Sequence, residues 1–203
     1  LWGAFVATAA ALVFQGIGAA GGASDLAALR WIAPATEEAT KGAFLILLLW
    51  WRRHELDGVL DGIVYAGMVG VGFAFTENIL YLAAAYNGTD GLGPGGTGAL
   101  TTVFIMRCLV SPFAHSFFTA FIGIGAGLAI SSRSSLVRVL APIGGYVVAV
   151  LLHSAWNSAT VYGFSHFLFV YVTLMFPAFL SVVAFAIYRH RAERRLLTEA
   201  LLD

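Results

Sequence analysis

Hydrophobic and polar positions fall into long apolar blocks separated by short polar punctuation, the layout of a chain that crosses a bilayer repeatedly. Residues 1–24 hold no charge and are long enough for a helical span of ~20 residues. A second segment runs from about Leu26 to Trp51 and stops at Arg52-Arg53-His54-Glu55. A third covers about Gly62 to Tyr86, with Ala66, Gly70 and Ala74 at the small-xxx-small spacing that lets membrane helices approach closely. The glycine-rich stretch Asn87 to Gly96 reads as an exposed flexible loop. A fourth segment, about Leu100 to Ile130, is longer than a span requires and predicts a kink near Pro112. The fifty residues Val139 to Tyr188 contain no Asp, Glu, Lys or Arg, room for two spans, one to about Tyr162 and one from about His166. The pattern predicts an all-α fold, a polytopic transmembrane helical bundle of about six spans with an internal polar site, in a single domain over residues 1–203.

Composition sharpens that picture. The chain is 60% hydrophobic and 11% charged, with a mean hydropathy of +0.86, far from the roughly 25% charged residues of a soluble domain. Basic and acidic residues balance at 11 each, so no global field attracts nucleic acid, and the partner implied is the lipid bilayer. Cys108 is the only cysteine, which excludes an internal disulfide and a multi-cysteine metal site and leaves His and carboxylate as the available metal ligands. Gly16-Ile17-Gly18-Ala19-Ala20-Gly21 matches a dinucleotide fingerprint letter for letter, but no βαβ unit surrounds it. Opening on Leu1 directly into an apolar run, the chain reads as one with more sequence upstream. Arg52 and Arg53, Arg133 and Arg138, and the arginines of Arg189 to Arg195 fall in alternate connections, which predicts a plasma-membrane protein with both ends of this chain cytoplasmic.

The charges inside the apolar blocks are the candidates for chemistry, because an ionisable residue in a span costs roughly 2.5–3.5 kcal/mol even on lenient scales. The second segment carries Ala33-Pro34-Ala35-Thr36-Glu37-Glu38-Ala39-Thr40-Lys41. On a helix Lys41 stands at i,i+4 from Glu37 and i,i+3 from Glu38, so it can neutralise either acid but not both, and one carboxylate is left over. Pro34 suits a first helical turn, which would put the pair at the positive end of the helix dipole. Glu77 has no charged residue within 15 positions before it and 12 after, so its partner must come from another helix. Arg107 and His115 lie in the fourth segment and His153-Ser154-Ala155-Trp156-Asn157 in the fifth. With the predicted orientation, Glu37, Glu38, Glu77, His115 and His153 come to one level of the bundle.

These residues resemble the PrsW-type intramembrane proteases, distant relatives of the type II CAAX prenyl proteases. The resemblance rests on Ala33-Pro34 with Glu37-Glu38-x-x-Lys41, on Phe73-Ala74-x-x-Glu77-Asn78, on Arg107 with His115, and on His153-x-x-Trp156-Asn157. Where the CAAX relatives carry a histidine after the second motif's phenylalanine, this chain has Glu77-Asn78. What the resemblance implies is an intramembrane endopeptidase, a peptide hydrolase often described as a metalloprotease. Its implied substrate is a membrane-anchored protein such as an anti-sigma factor. The site residues it points to are Glu37, Glu38, Glu77, His115, His153 and Asn157, supported by Lys41, Asn78, Arg107 and Trp156.

Amide hydrolysis needs a general base, oxyanion stabilisation and a proton for the leaving amine, and carboxylates with histidines supply these. His153 and Asn157, at i,i+4, could donate to one oxygen. Two cofactor schemes follow. In one, no metal is needed: a Glu of the pair and His115 polarise water while His153 and Asn157 hold the oxyanion. In the other, Glu77, His115 and His153 form a two-histidine, one-carboxylate zinc triad. Taken singly, the acidic pair with Lys41 could be a buried ion pair, His153 a hydrogen-bonding link between helices, and Trp156 packing. Phe164 to Phe169 reads as lipid-facing bulk. The alternative function is a proton- or cation-coupled transporter using the same groups as a relay, which predicts internal repeats; none is visible in the sequence.

Overall fold

Apolar blocks with no polar backbone partner in lipid must satisfy their own peptide groups, which is why every regular element among the described residues is helical. The computed structural model describes residues 1–89 and 92–202, so Asp90 and Gly91 of the glycine-rich loop lie outside the described residues. Six helical segments follow one another: α1 (Trp2–Ala20), α2 (25–51), α3 (Val59–Asn87), α4 (Gly96–Ser131), α5 (Ser135–Val161) and α6 (164–202). Five of them are long and apolar enough to cross a membrane. The exception is α2, which carries Glu37, Glu38 and Lys41.

α2 corrects one expectation. The helix starts at Asp25, next to the expected Leu26 and capped by the Ser24 hydroxyl, and passes through a π turn at Ala28–Ile32 into the α-helical stretch Ala33–Trp51, so Pro34 opens that stretch but has helix ahead of it. The acidic pair therefore sits well inside a continuous helix, not at a dipole end. The π turn has a local cause. Proline cannot donate to the preceding turn and its ring clashes there, and a wider turn relieves both.

α4 is the central helix, with 67% of its apolar window buried against 6% for α5 and 6% for α6. It breaks at Ser111–Phe113, between a π turn at Ile105–Val110 and the second half Ala114–Ser131, as the position of Pro112 predicts. α3 crosses it on small residues. A Cβ on Gly62 would collide with the backbone of Gly123, and one on Gly70 would stand 2.6 Å from Ser116 Cα. Three apolar clusters surround the polar centre. Phe117, Phe118, Trp156, Phe167 and Met175 join α4, α5 and α6; Leu45, Ala66, Ile122 and Ala149 join α2 to α5; Ala7, Ala11 and Phe73 join α1 to α3. Phe164 and Phe169 face outward as expected, but Phe167 is buried with its ring 4.9 Å from that of Trp156.

Candidate active site

Lys41 has no exposed surface at all, and a buried ammonium needs acceptors. It donates to Glu38 Oε1 at 2.6 Å, contacts His115 Nδ1 at 3.1 Å and sits 4.3 Å above the Phe73 ring. Glu38, equally inaccessible, collects three donors from three helices: Lys41, the Thr119 hydroxyl at 2.9 Å and His153 Nδ1 at 3.0 Å. Its acceptor capacity is spent on holding the bundle together.

Glu37 is the carboxylate left over. Lys41 is 3.9 Å from its Oε2 and His153 Nε2 is 3.8 Å away, too far for hydrogen bonds. Oε1 accepts from the Gln15 side chain at 3.1 Å, while Oε2 is buried and has no hydrogen-bond partner. A carboxyl oxygen left without a partner inside a bundle is expensive.

The tautomers follow from the partners. An ammonium can only donate, so His115 Nδ1 accepts from Lys41 and its Nε2 carries the hydrogen, donated to Glu77 Oε2 at 2.7 Å. Glu38 can only accept when ionised, so His153 Nδ1 donates and its Nε2 presents a lone pair on the Glu37 side. Glu77 takes its other partner from Arg107 Nη2, whose Nε donates to Asn78 Oδ1 at 2.8 Å and whose guanidinium lies 3.9 Å over the Tyr81 ring. A cavity of about 620 Å³ opens onto Glu37 and Glu77, walled by Leu12 and Gln15 on α1, Leu80 and Tyr81 on α3, and Asn157 on α5.

Asn157 is placed differently from the expectation that it shares an oxygen with His153. Its Nδ2 donates to the Leu29 carbonyl at 3.0 Å. In the π register Ala33 N–H bonds to Ala28 O, so the next carbonyl, that of Leu29, would look to residue 34. Residue 34 is proline and has no N–H. The Asn157 amide supplies the missing donor. Trp156 packs between Phe118 and Phe167. Two polar contributors escaped the sequence reading of the site. Thr119 stands four residues after His115 on the same helical face, and Gln15 is the lone amide in the first span.

The model described as "PrsW family intramembrane metalloprotease" matches residues 1–182. The chain belongs to the PrsW family. It is 34% identical over 86 residues to a protein named Protease PrsW from Geobacillus kaustophilus, covering 42% of this chain and 32% of that protein. It is 27% identical over 132 residues to a Protease PrsW from Oceanobacillus iheyensis, covering 65% of this chain and 54% of that one. The chain thus spans about a third and about half of the lengths of these relatives. No solved structure matches it significantly.

The PrsW family's description names a metal, and this chain offers a donor set for one. Glu37, His115 and His153 each present a ligand atom, all within 4.8 Å of one another, the carboxylate oxygen among them being otherwise bare. The acid in this group is Glu37 where the sequence pointed to Glu77. The Glu77 carboxylate is instead bonded by Arg107 and His115. His153 is prepared for ligation, its Nε2 lone pair fixed by Glu38 at Nδ1, the usual carboxylate support of a ligand histidine. His115 would ligate only by giving up one of its two present bonds.

Proposed function

We propose that this chain carries the catalytic centre of an intramembrane endopeptidase that hydrolyses a peptide bond of a membrane-anchored protein, with an anti-sigma factor as the type of substrate. The observation that carries the reading is the buried, unpartnered Oε2 of Glu37, set beside two histidines on a side chain that helps line a cavity of about 620 Å³. A bare carboxylate oxygen at the edge of a cavity can take a proton from water, and it cannot do so if an ammonium already occupies it.

In this scheme Glu37 is the general base. Lys41 and Glu38 are its frame: the pair neutralises itself and leaves Glu37 unquenched. His115 donates its Nε2 hydrogen to Glu77, which holds the ring in place, and the proton that Glu37 takes from water is the one passed on to the leaving amine. Asn157 gives one amide hydrogen to Leu29 and has a second, available to a carbonyl oxygen in the cavity that Asn157 lines. A divalent metal such as zinc would be held by Glu37, His115 and His153; Glu37 would then be a ligand in place of the free base, and the ion would supply Lewis acidity for polarising the scissile carbonyl and easing deprotonation of water. The membrane in this reading is the plasma membrane, and arginines gathered at alternate connections support an orientation with both ends of this chain cytoplasmic.

The test is incubation of the purified protein in detergent with single-span membrane substrates, mapping any cut by mass spectrometry. Cleavage that vanishes in Glu37→Gln supports the assignment, and cleavage unaffected by that change overturns it.

A further inference from the structure

Glu37 is available for chemistry only because something holds it away from Lys41. An ammonium 3.9 Å from Oε2 is the stronger electrostatic partner, and a carboxylate's terminal torsion is broad and soft. Left alone, the Glu37 carboxylate would need only a modest rotation to join Glu38 on Lys41. Within α2 only the like charge of Glu38, already bonded to Lys41, opposes that move, and no group on the helix holds the Glu37 carboxylate by a hydrogen bond. The restraint comes from α1, where Gln15 Nε2 donates to Glu37 Oε1 at 3.1 Å.

We infer that Gln15 is a positioning residue of the catalytic centre, one that fixes the Glu37 carboxylate so that Oε2 stays bare and turned to the histidines. The inference rests on the reading of Glu37 proposed above. Three observations converge on it. Gln15 is half-buried while Leu12, Val13, Phe14, Gly16 and Ile17 around it are exposed, so α1 turns its one amide inward. The helix is pinned to α2 at a second point by Trp2 Nε1 donating to Thr40 O at 3.0 Å, which sets the height at which Gln15 meets Glu37. The oxygen that Gln15 does not reach is the one with no partner. A glutamine suits the task because it donates without charge: it orients a carboxylate without neutralising it.

The role separates from mere packing by what it should change. Gln15→Met keeps length and bulk and removes the donor, so it should lower kcat at least tenfold with KM unchanged, since the cavity wall is preserved. It should also weaken zinc affinity, measured by chelator competition on the full purified chain, by roughly 10–100-fold, as loss of a partner supporting a ligand does. Gln15→Glu, of the same size but with an acceptor in place of the donor, is the second variant and should show the same losses. Glu37→Gln is run beside them. Should Glu37→Gln keep kcat and zinc affinity, the reading of Glu37 fails and this inference with it. Should Glu37→Gln lose them while a folded Gln15 variant keeps both, Gln15 is packing and only this inference is overturned. If the protein works without metal, the kcat against KM split decides alone.

Discussion

Lys41 bonds to Glu38 at 2.6 Å and stays 3.9 Å from Glu37, so of two carboxylates adjacent in the chain one is paired and the other is left over. Glu37→Gln should leave the fold intact and lower kcat by about 10²-fold or more, the scale of a lost general base. Glu38→Gln should lose activity and stability together, because it leaves a fully buried ammonium without its counter-charge, a change that costs about 3–5 kcal/mol. Thermal unfolding in detergent alongside a cleavage assay separates the two. Equal stability losses in both variants would contradict the division.

Asn157 and Pro34 should be coupled although 123 positions apart in sequence. Asn157→Ala strips the donor from Leu29 O, and an unmatched carbonyl in the interior costs about 1–3 kcal/mol. Pro34→Ala restores a backbone N–H that can serve the same region. The double variant should therefore be more stable than the sum of its parts. Its activity should stay low, because the second amide hydrogen at position 157 is not restored. Simple additivity in a double-mutant cycle would show that the two sites do not communicate.

Close helix crossing should bear directly on the site. Gly70→Ala places a methyl 2.6 Å from Ser116 Cα, next to His115, and overpacking of this kind costs about 1–3 kcal/mol. The displaced neighbour is half of the His115–Glu77 pair, so cleavage should fall by as much as ~10²-fold for a shift near 1 Å. Gly144→Ala, where nothing lies within 4 Å, should retain full activity and gain up to ~1 kcal/mol of helix stability. Full activity in Gly70→Ala would break the link between the crossing and the site.

The helices were legible because bilayer thickness and hydropathy act on whole segments: each apolar block became one helix, and Pro112 marked the break in α4. The charge arithmetic of Glu37, Glu38 and Lys41 was legible too, down to a left-over acid. Which acid was left over was not, because the choice depends on Thr119 and His153 arriving from α4 and α5 at Glu38. For the same reason the chain left open which acid would join the histidines: Glu77 does meet His115 but is bonded by Arg107 as well, and the acid grouped with both histidines is Glu37. The link from Asn157 to Leu29 was hidden for another reason. It answers a backbone carbonyl exposed by a π turn, and backbone register leaves no mark in a side-chain pattern beyond the proline that provokes it. Gln15 was overlooked because an uncharged amide in an apolar span carries little weight until its partner is known.

Orientation is open to a direct check. Reporter fusions after Arg53, Ser134 and Arg195 should report cytoplasm and one at Gly95 the opposite side, following the arginine distribution. A cytoplasmic signal from Gly95 would reverse the placement of α3 and α4 across the bilayer.

The choice of metal ligands gives the last prediction. With Glu37, His115 and His153 as ligands, purified protein should carry about one zinc per chain, lose cleavage on chelation and regain it when zinc is returned, since ligand deprotonation and binding are reversible. Glu37→Gln and His153→Ala should each lower bound zinc. Glu77→Gln should keep zinc and still lower activity, because Glu77 accepts from His115 and orients that ring without belonging to the ligand group. A triad containing Glu77 inverts the comparison: zinc would leave with Glu77→Gln and stay with Glu37→Gln. Metal analysis of the variants distinguishes these outcomes without any substrate. Full cleavage by metal-free protein would instead assign the hydrolysis to Glu37 and the histidines acting on water alone.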